Sequence, residues 1–405
     1  MSSEAYFQRG FGLRSAIEGS LRSDYHSALV ERIRAAGSHL TAGDTTIRLA
    51  GEFGFCYGVD RAVEYAYETV EKFPDRRVFL TGEIIHNPHV NDRLRRMGIQ
   101  FLSRDGHLDD LPIDLFPSDV VILPAFGVPA PTFAAIRERG CVVVDTTCGS
   151  VLNVWKNVER YAREGLTSVI HGKYDHEETR ATASRAMLYP AGRYLIVRDM
   201  RETEQVCDYI VGPRRPTDRE VFRAAFERVC SPGFDPDLDL DAIGLANQTT
   251  MLSSESLAIA RRLREAMAQR HGEGAMDSRF RSFDTICSAT QDRQDAVVRL
   301  VGDGVDLLLI IGGYNSSNTN HLASLGASSV PTYHIESARC ILSREAIRHK
   351  PAGQRQVVEG RDWLPPDGRV TIGVTAGAST PNVMIGEVIE AVLRCRGERL
   401  DVISI

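Results

Sequence analysis

The sequence lacks any apolar run that could span a bilayer: clean stretches such as VDLLLII at 305–311 fall far short of the roughly 20 residues a membrane helix needs, and they read as buried strands. It has no surplus of positive charge either. With 48 Lys and Arg against 54 Asp and Glu, and a formal net charge of −6, there is no electrostatic reason to expect nucleic acid as the partner. The opening MSSEAYFQRGFGLRSAIEG mixes Glu and Arg and never develops an apolar block ahead of a small-residue cleavage site. It therefore reads as no secretory signal, and the expected compartment is the cytoplasm. None of the eight cysteines falls in CxxC or CxxCxxC, which excludes zinc-finger and ferredoxin-type motifs, and a chain of this length can build its own core without a disulfide framework. There is no GxxxxGK followed by Ser or Thr, and IIGGYN lacks the GxGxxG spacing. Nucleotide, nicotinamide and flavin sites are thus unsupported, and electrons for any redox chemistry must be delivered from outside.

What is present is the usage of a globular protein, 43% apolar and 25% charged over 405 residues, long enough for two or three domains. Three cysteines share one local context. In IRLAGEFGFCYGVDRAVEYAYETV an extended stretch runs into Cys56, and Val59, Ala62, Val63, Ala66 and Val70 then form a helical apolar face. In CVVVDTTCGSVLNVWKNVERYARE a β-branched strand precedes Cys148, and Val151, Val154, Trp155 and Val158 supply the stripe. In FRSFDTICSATQDRQDAVVRLV a shorter extended segment reaches Cys287, followed by Ala289, Ala296, Val297 and Leu300. Each cysteine thus sits between a strand and the first turn of a helix. Unpaired amides there favour a thiolate and metal ligation. One such cysteine fits a small apolar filler equally well; three in the same position of comparable units favour ligation, with zinc still open on spacing alone.

Other segments repeat the pattern of short strand, polar loop and amphipathic helix that marks parallel βα units, whose ligands lie at the carboxyl ends of strands. The chain then divides into an N-terminal extension at 1–45, α/β domains at 46–147, 148–286 and 287–390, and a tail at 391–405, with loops that could converge on one site. A helical arm is expected around 25–36, surface excursions at 103–118 and 348–368, and a helix flanked by loops in the proline-containing stretch 212–241. Several loops suit an anion: His86, Asn87 and His89 in GEIIHNPHV; His171, Lys173, His176, Glu177 and Glu178 in HGKYDHEET; Asn315, Ser316, Ser317, Asn318 and Thr319 before a helix expected near Asn320; and Ser379 and Thr380 before Pro381, expected as the first helical residue. Ser379 and Thr380 alone would be plain helix caps, but NSSNTN is richer than capping requires. Glu178, beside an anion in a partly dry pocket, is a plausible proton donor, and Thr249, expected at a helix start, can orient a proton through its hydroxyl.

Taken in order, FGFCYGVDRAV, GEIIHNPHV, DTTCGSV, KYDHEETRATAS, NQTTM, DTICSATQDRQ, GGYNSSNTNHL and TAGAST resemble the family of 4-hydroxy-3-methylbut-2-enyl diphosphate reductase over nearly all of the chain after about residue 46. The resemblance implies three similar α/β domains in a trefoil-like arrangement around a central 4Fe-4S cluster. Its ligands would be Cys56, Cys148 and Cys287, the fourth iron being open to the substrate hydroxyl. It implies substrate binding by His86, His176, Thr249, Ser316, Ser317, Asn318 and Ser379, and proton handling by Glu178 and Thr249. The implied reaction is reductive dehydration to isopentenyl and dimethylallyl diphosphate, with ferredoxin or flavodoxin as electron donor. One departure is Phe126, in an AFG segment where many bacterial members carry a histidine; together with HGKYDHEET and NQTTM it resembles the plant and cyanobacterial branch. A cluster-dependent hydro-lyase would call for arginine forks that the loops do not offer, and an iron–sulfur sensor would have no need of four anion-binding loops.

Overall fold

The computed structural model describes residues 5–103, 114–283 and 285–398. Most of the excursion expected at 103–118, residues 399–405 of the tail and the first four residues of the extension lie outside them. The chain forms two compact units: one of residues 1–9, 75–84 and 99–287, the other of 10–74, 85–98 and 288–405.

The first unit holds two parallel sheets. One runs Tyr6–Phe7, Val142–Asp145, Val120–Leu123, Val78–Leu80, Gln100–Phe101. The other runs Phe280–Ser282, Ile243–Asn247, Thr167–His171, Tyr194–Val197. Central strands such as VVIL and VVVD are buried throughout and apolar except for the terminal Asp145, as a sheet covered on both faces requires. The covering helices Gly149–Arg163 and Glu177–Ala186 meet where Trp155 donates Nε1–H to Thr182 Oγ1 (3.2 Å) and the Arg185 guanidinium lies 3.9 Å from the centre of the indole ring.

The second unit is built on one sheet, ordered Thr332–Ile335, Leu307–Ile311, Val370–Ala376, Thr45–Leu49, His39–Ala42, with only the last strand antiparallel. Its centre is LLLII, every residue buried; at roughly 1.5–3 kcal/mol for each fully buried Leu or Ile, this strand anchors the unit. Sheet membership does not follow segments 46–147, 148–286 and 287–390. Thr45–Leu49 pairs residue by residue with Val370–Val374, so this sheet draws on both ends of the chain.

The helical arm is a pair, Arg14–Tyr25 and Ala28–Ala35, the second capped by Ser27, whose Oγ accepts the Val30 N–H. The extension also holds strands Tyr6–Phe7 and His39–Ala42, too short or too polar to show a strand period. The stretch 212–241 contains helix Pro216–Phe226 and the single turn Pro236–Asp239. The excursion at 348–368 is largely an antiparallel ribbon, Ala346–His349 with Val358–Arg361. No helix among the described residues is long and apolar enough to cross a membrane.

Candidate functional site

In the first unit, Cys148 occupies the cap position of helix Gly149–Arg163, three residues beyond strand Val142–Asp145, and its N–H donates to the Ala125 carbonyl (2.9 Å). The strand end is fixed by Asp145, which accepts from the Thr147 N–H (3.0 Å) and hydroxyl (2.5 Å) and from the Tyr6 hydroxyl (2.6 Å). Burial, then the bond to Asp145, raises the Tyr6 phenol above its ordinary range and keeps it a donor. Cys287 precedes helix Ser288–Gly302, and its N–H donates to the Thr249 carbonyl (3.2 Å). Thr249 lies in the turn after strand Ile243–Asn247, not at a helix start; the helix begins at Ser253, because Gln248 to Met251 first closes a turn.

That turn brings Thr249 to Glu178. The Thr249 N–H donates to Glu178 Oε1 (2.5 Å), and its Oγ1 lies 3.0 Å from Oε2 as donor. Glu178 is 2% exposed and Thr249 5%, so the carboxylate–hydroxyl pair is buried, and the Thr249 carbonyl links it to the cysteine amide. His176 caps helix Glu177–Ala186, its Nδ1 accepting the Glu178 N–H (3.2 Å). In the neutral ring this places the proton on Nε2, a donor of the kind an anionic oxygen accepts from. Phe126 meets the same ring edge-on, centroids 5.9 Å apart, so a hydrophobic edge stands where the resembling family often has a further donor.

In the second unit, Cys56 caps helix Tyr57–Lys72. Its N–H donates to the Ala378 carbonyl (3.1 Å), and its Sγ accepts the Val59 N–H (3.4 Å). The Ala378 N–H is taken by Asn318 Oδ1 (3.0 Å), and Ser379 Oγ donates to the His86 carbonyl (3.3 Å). One loop thus gathers Cys56, His86, Asn318 and Ser379. Ser316 caps helix Ser317–Ala327, three residues earlier than the expected start near Asn320, and accepts from the Thr319 N–H (3.3 Å) and hydroxyl (2.9 Å). The capping position in the last helix is Pro381 itself, with Asn382 the first helical residue. Among the described residues, Ser317 Oγ and Asn318 Nδ2 are buried without a hydrogen-bond partner, two donors at a helix start, where the amides and dipole also favour negative charge. Gly313 allows this crowding: a Cβ there would fall 2.5 Å from the His86 carbonyl oxygen.

All eight cysteines are thiols. Cys141, Cys207 and Cys340 are buried, and burial raises the first and pushes the second to about 12, which suits packing rather than ligation. Burial raises Cys230 and Cys395 as well, although both are partly exposed. Cys56, Cys148 and Cys287 are partly exposed and stand at strand-to-helix junctions, a donor set that fits a thiolate-bound iron centre.

Three supporting residues carried no signal in the sequence. Arg293, 4% exposed, donates from Nε (3.2 Å) and Nη2 (2.7 Å) to the carbonyl of Gly54, whose φ of +77° only glycine adopts freely. Asn247 and Thr285 bind each other. The polar run Asn247 to Thr250 in LANQTTM marks a strand end turned to polar work, but the partners of its residues are set by the tertiary fold.

These features define an α/β protein that presents three thiols and a buried carboxyl–hydroxyl pair at the ends of parallel strands. A family model described as LytB protein matches residues 47–393. The chain is 48% identical over 396 residues to the 4-hydroxy-3-methylbut-2-enyl diphosphate reductase of Thermosynechococcus vestitus, covering 98% of this chain and 96% of that one. It is 47% identical over 401 residues to the enzyme of the same name from Gloeobacter violaceus, covering 98% and 94%. A solved structure of (E)-4-hydroxy-3-methyl-but-2-enyl diphosphate reductase, the terminal enzyme of the non-mevalonate pathway, matches with TM-score 0.52 and 27% identity over 86% of this chain and 99% of that one. The Plasmodium falciparum reductase shares the fold, with TM-score 0.60 at 20% identity over 86% and 87%. The chain belongs to the LytB protein family, on its cyanobacterial side.

Proposed function

We propose that this chain reduces (E)-4-hydroxy-3-methylbut-2-enyl diphosphate to isopentenyl and dimethylallyl diphosphate, with loss of the hydroxyl group as water. The observation that carries the mechanism is the hydrogen-bonded chain from the buried Glu178 carboxyl through Thr249 to the Cys287 amide. Cys56, Cys148 and Cys287 would hold a 4Fe-4S cluster, and the trefoil-like assembly of three α/β domains around it is part of the same reading. When bound, the cluster supplies a Lewis-acidic open iron and the entry point for single electrons. Ferredoxin or flavodoxin is the proposed donor, and the cytoplasm the proposed compartment.

The chain's own groups then have separate tasks. His176 offers Nε2–H to a diphosphate oxygen, its ring held by the Glu178 amide and the Phe126 edge. Ser317 and Asn318 offer buried donors that a phosphate oxygen would satisfy, and Ser316, Ser379 and His86 line the same loops. Glu178 delivers the proton with which the hydroxyl leaves. Thr249 orients that proton, its hydroxyl 3.0 Å from Oε2, and its own N–H keeps Oε1 occupied so that a single oxygen does the transfer. The test is an anaerobic assay of reconstituted protein with reduced methyl viologen and the substrate. Two electrons consumed per substrate, with both five-carbon diphosphates formed, is the expected result; an intact cluster protein that leaves the substrate unchanged would overturn the proposal.

A further inference from the structure

Where the parallel ladder between Ile243–Asn247 and Phe280–Ser282 stops, the two chains do not part. The register ends with Leu245 beside Ser282. Two residues beyond Leu245 and three beyond Ser282, Thr285 Oγ1 accepts the Asn247 N–H at 2.8 Å and also the Asn247 side-chain amide at 3.2 Å. The hydroxyl points its own proton toward the Asn247 carbonyl at 3.4 Å. Two residues further, the Cys287 N–H reaches the Thr249 carbonyl. A side-chain hydroxyl thus ties Thr285 to the end of the neighbouring strand, and two residues later the cysteine meets the residue that binds Glu178. Thr285 is 4% exposed and Asn247 3%, so water does not compete for these bonds.

We infer that Thr285 and Asn247 are positioning residues for Cys287. They fix the backbone that carries its sulfur to the backbone of Thr249, and so hold a metal-ligating thiolate in constant relation to the proton-handling carboxyl. Neither residue reaches a reacting atom; each acts through Cys287. Outer contacts of this kind set ligand orientation and tune the strength of metal binding. The inference rests on the reading of Cys287 as a cluster ligand.

The test uses full-length protein reconstituted anaerobically as wild type, Thr285→Val, Thr285→Ser, Asn247→Ala and Cys287→Ser, following iron loss to a chelator and the electron paramagnetic resonance of the reduced cluster. Thr285→Val, isosteric but without the hydroxyl, should lose iron about tenfold faster than wild type with a shifted resonance, whereas Thr285→Ser should match wild type on both. Equal rates and identical spectra for Thr285→Val, Thr285→Ser and wild type, alongside cluster loss in Cys287→Ser, would overturn the inference and leave the functional reading standing. A wild-type cluster in Cys287→Ser would overturn both. Should Thr285→Val not fold, Asn247→Ala decides: it removes one donor and keeps the peptide N–H, so faster iron loss supports the clamp and a wild-type rate refutes it.

Discussion

In both units each cysteine amide donates to a main-chain carbonyl, that of Ala125 for Cys148, Thr249 for Cys287 and Ala378 for Cys56, and the two units differ in what stands behind that bond. In the second, Cys56 is placed by main chain against main chain: its amide on the Ala378 carbonyl, and Gly54 anchored through its carbonyl by Arg293. Glycine makes this packing possible, as the bare Gly313 beside the His86 carbonyl illustrates. In the first unit, the backbone bond from Cys287 to Thr249 is backed by side chains, the Thr285 hydroxyl accepting from Asn247 and the Glu178 carboxylate accepting from Thr249. A backbone-packed support is strained by a single added methyl group, at about 1–3 kcal/mol. A side-chain support can be weakened one bond at a time, at about 0.5–1.5 kcal/mol for each ordinary hydrogen bond.

The most severe break removes the sulfur itself. Cys56→Ser, Cys148→Ser and Cys287→Ser should each abolish the intact cluster and nearly all turnover, which iron analysis and the viologen assay would reveal; a fully active variant would remove that cysteine from the ligand set. Next is Glu178→Gln, which can still accept the Thr249 N–H through its carbonyl but no longer carries the acid. It should bind substrate and slow single turnover by about 10²–10⁴-fold, the usual worth of a general acid. Unchanged single-turnover kinetics would end its proposed role.

Acid should weaken the second unit through His334. Burial lowers His334 from 6.5 to about 4, while its Nε2–H donates to the Gly312 carbonyl (2.9 Å). The folded state therefore binds fewer protons than the unfolded chain, and stability is fully present above pH 6.5 and lost as pH falls toward 4. The loss should approach about 3 kcal/mol. Melting temperatures of the metal-free protein across that window, compared with those of His334→Gln, would expose the slope, which the variant should flatten. The mildest change tested is Gly313→Ala, whose new methyl must displace the His86 backbone. A cost of about 1–3 kcal/mol is expected in denaturant unfolding, and no cost would show the backbone-packed support to be softer than its geometry implies.

Much of the fold was readable because parallel strands buried on both faces are nearly unbroken apolar runs, as in VVIL and LLLII. The three cysteine junctions were readable because a strand, a cysteine and a helical stripe follow each other locally. What sequence could not give was partnership over distance. Nothing near Thr45–Leu49 announces that it pairs with Val370–Ala376, and Thr285 looks like any loop threonine until its hydroxyl is found on Asn247. Thr249 was placed at a helix start because a polar cluster precedes SSESLAIARRL; the intervening turn, which aims it at Glu178, has no period of its own.

The pairing of Thr45–Leu49 with Val370–Ala376 also sets an order in time. During synthesis from the N-terminus, the strand just ahead of Cys56 waits without its neighbour while more than 300 further residues emerge. Residues 99–287, the bulk of the first unit, are complete well before the strand at 370–376 is made. The amide of Cys56 cannot find the Ala378 carbonyl until nearly the whole polypeptide exists. Of the three thiols, the first to leave the ribosome is the last to reach its place, so a metal centre requiring all three cannot be completed on a partial chain.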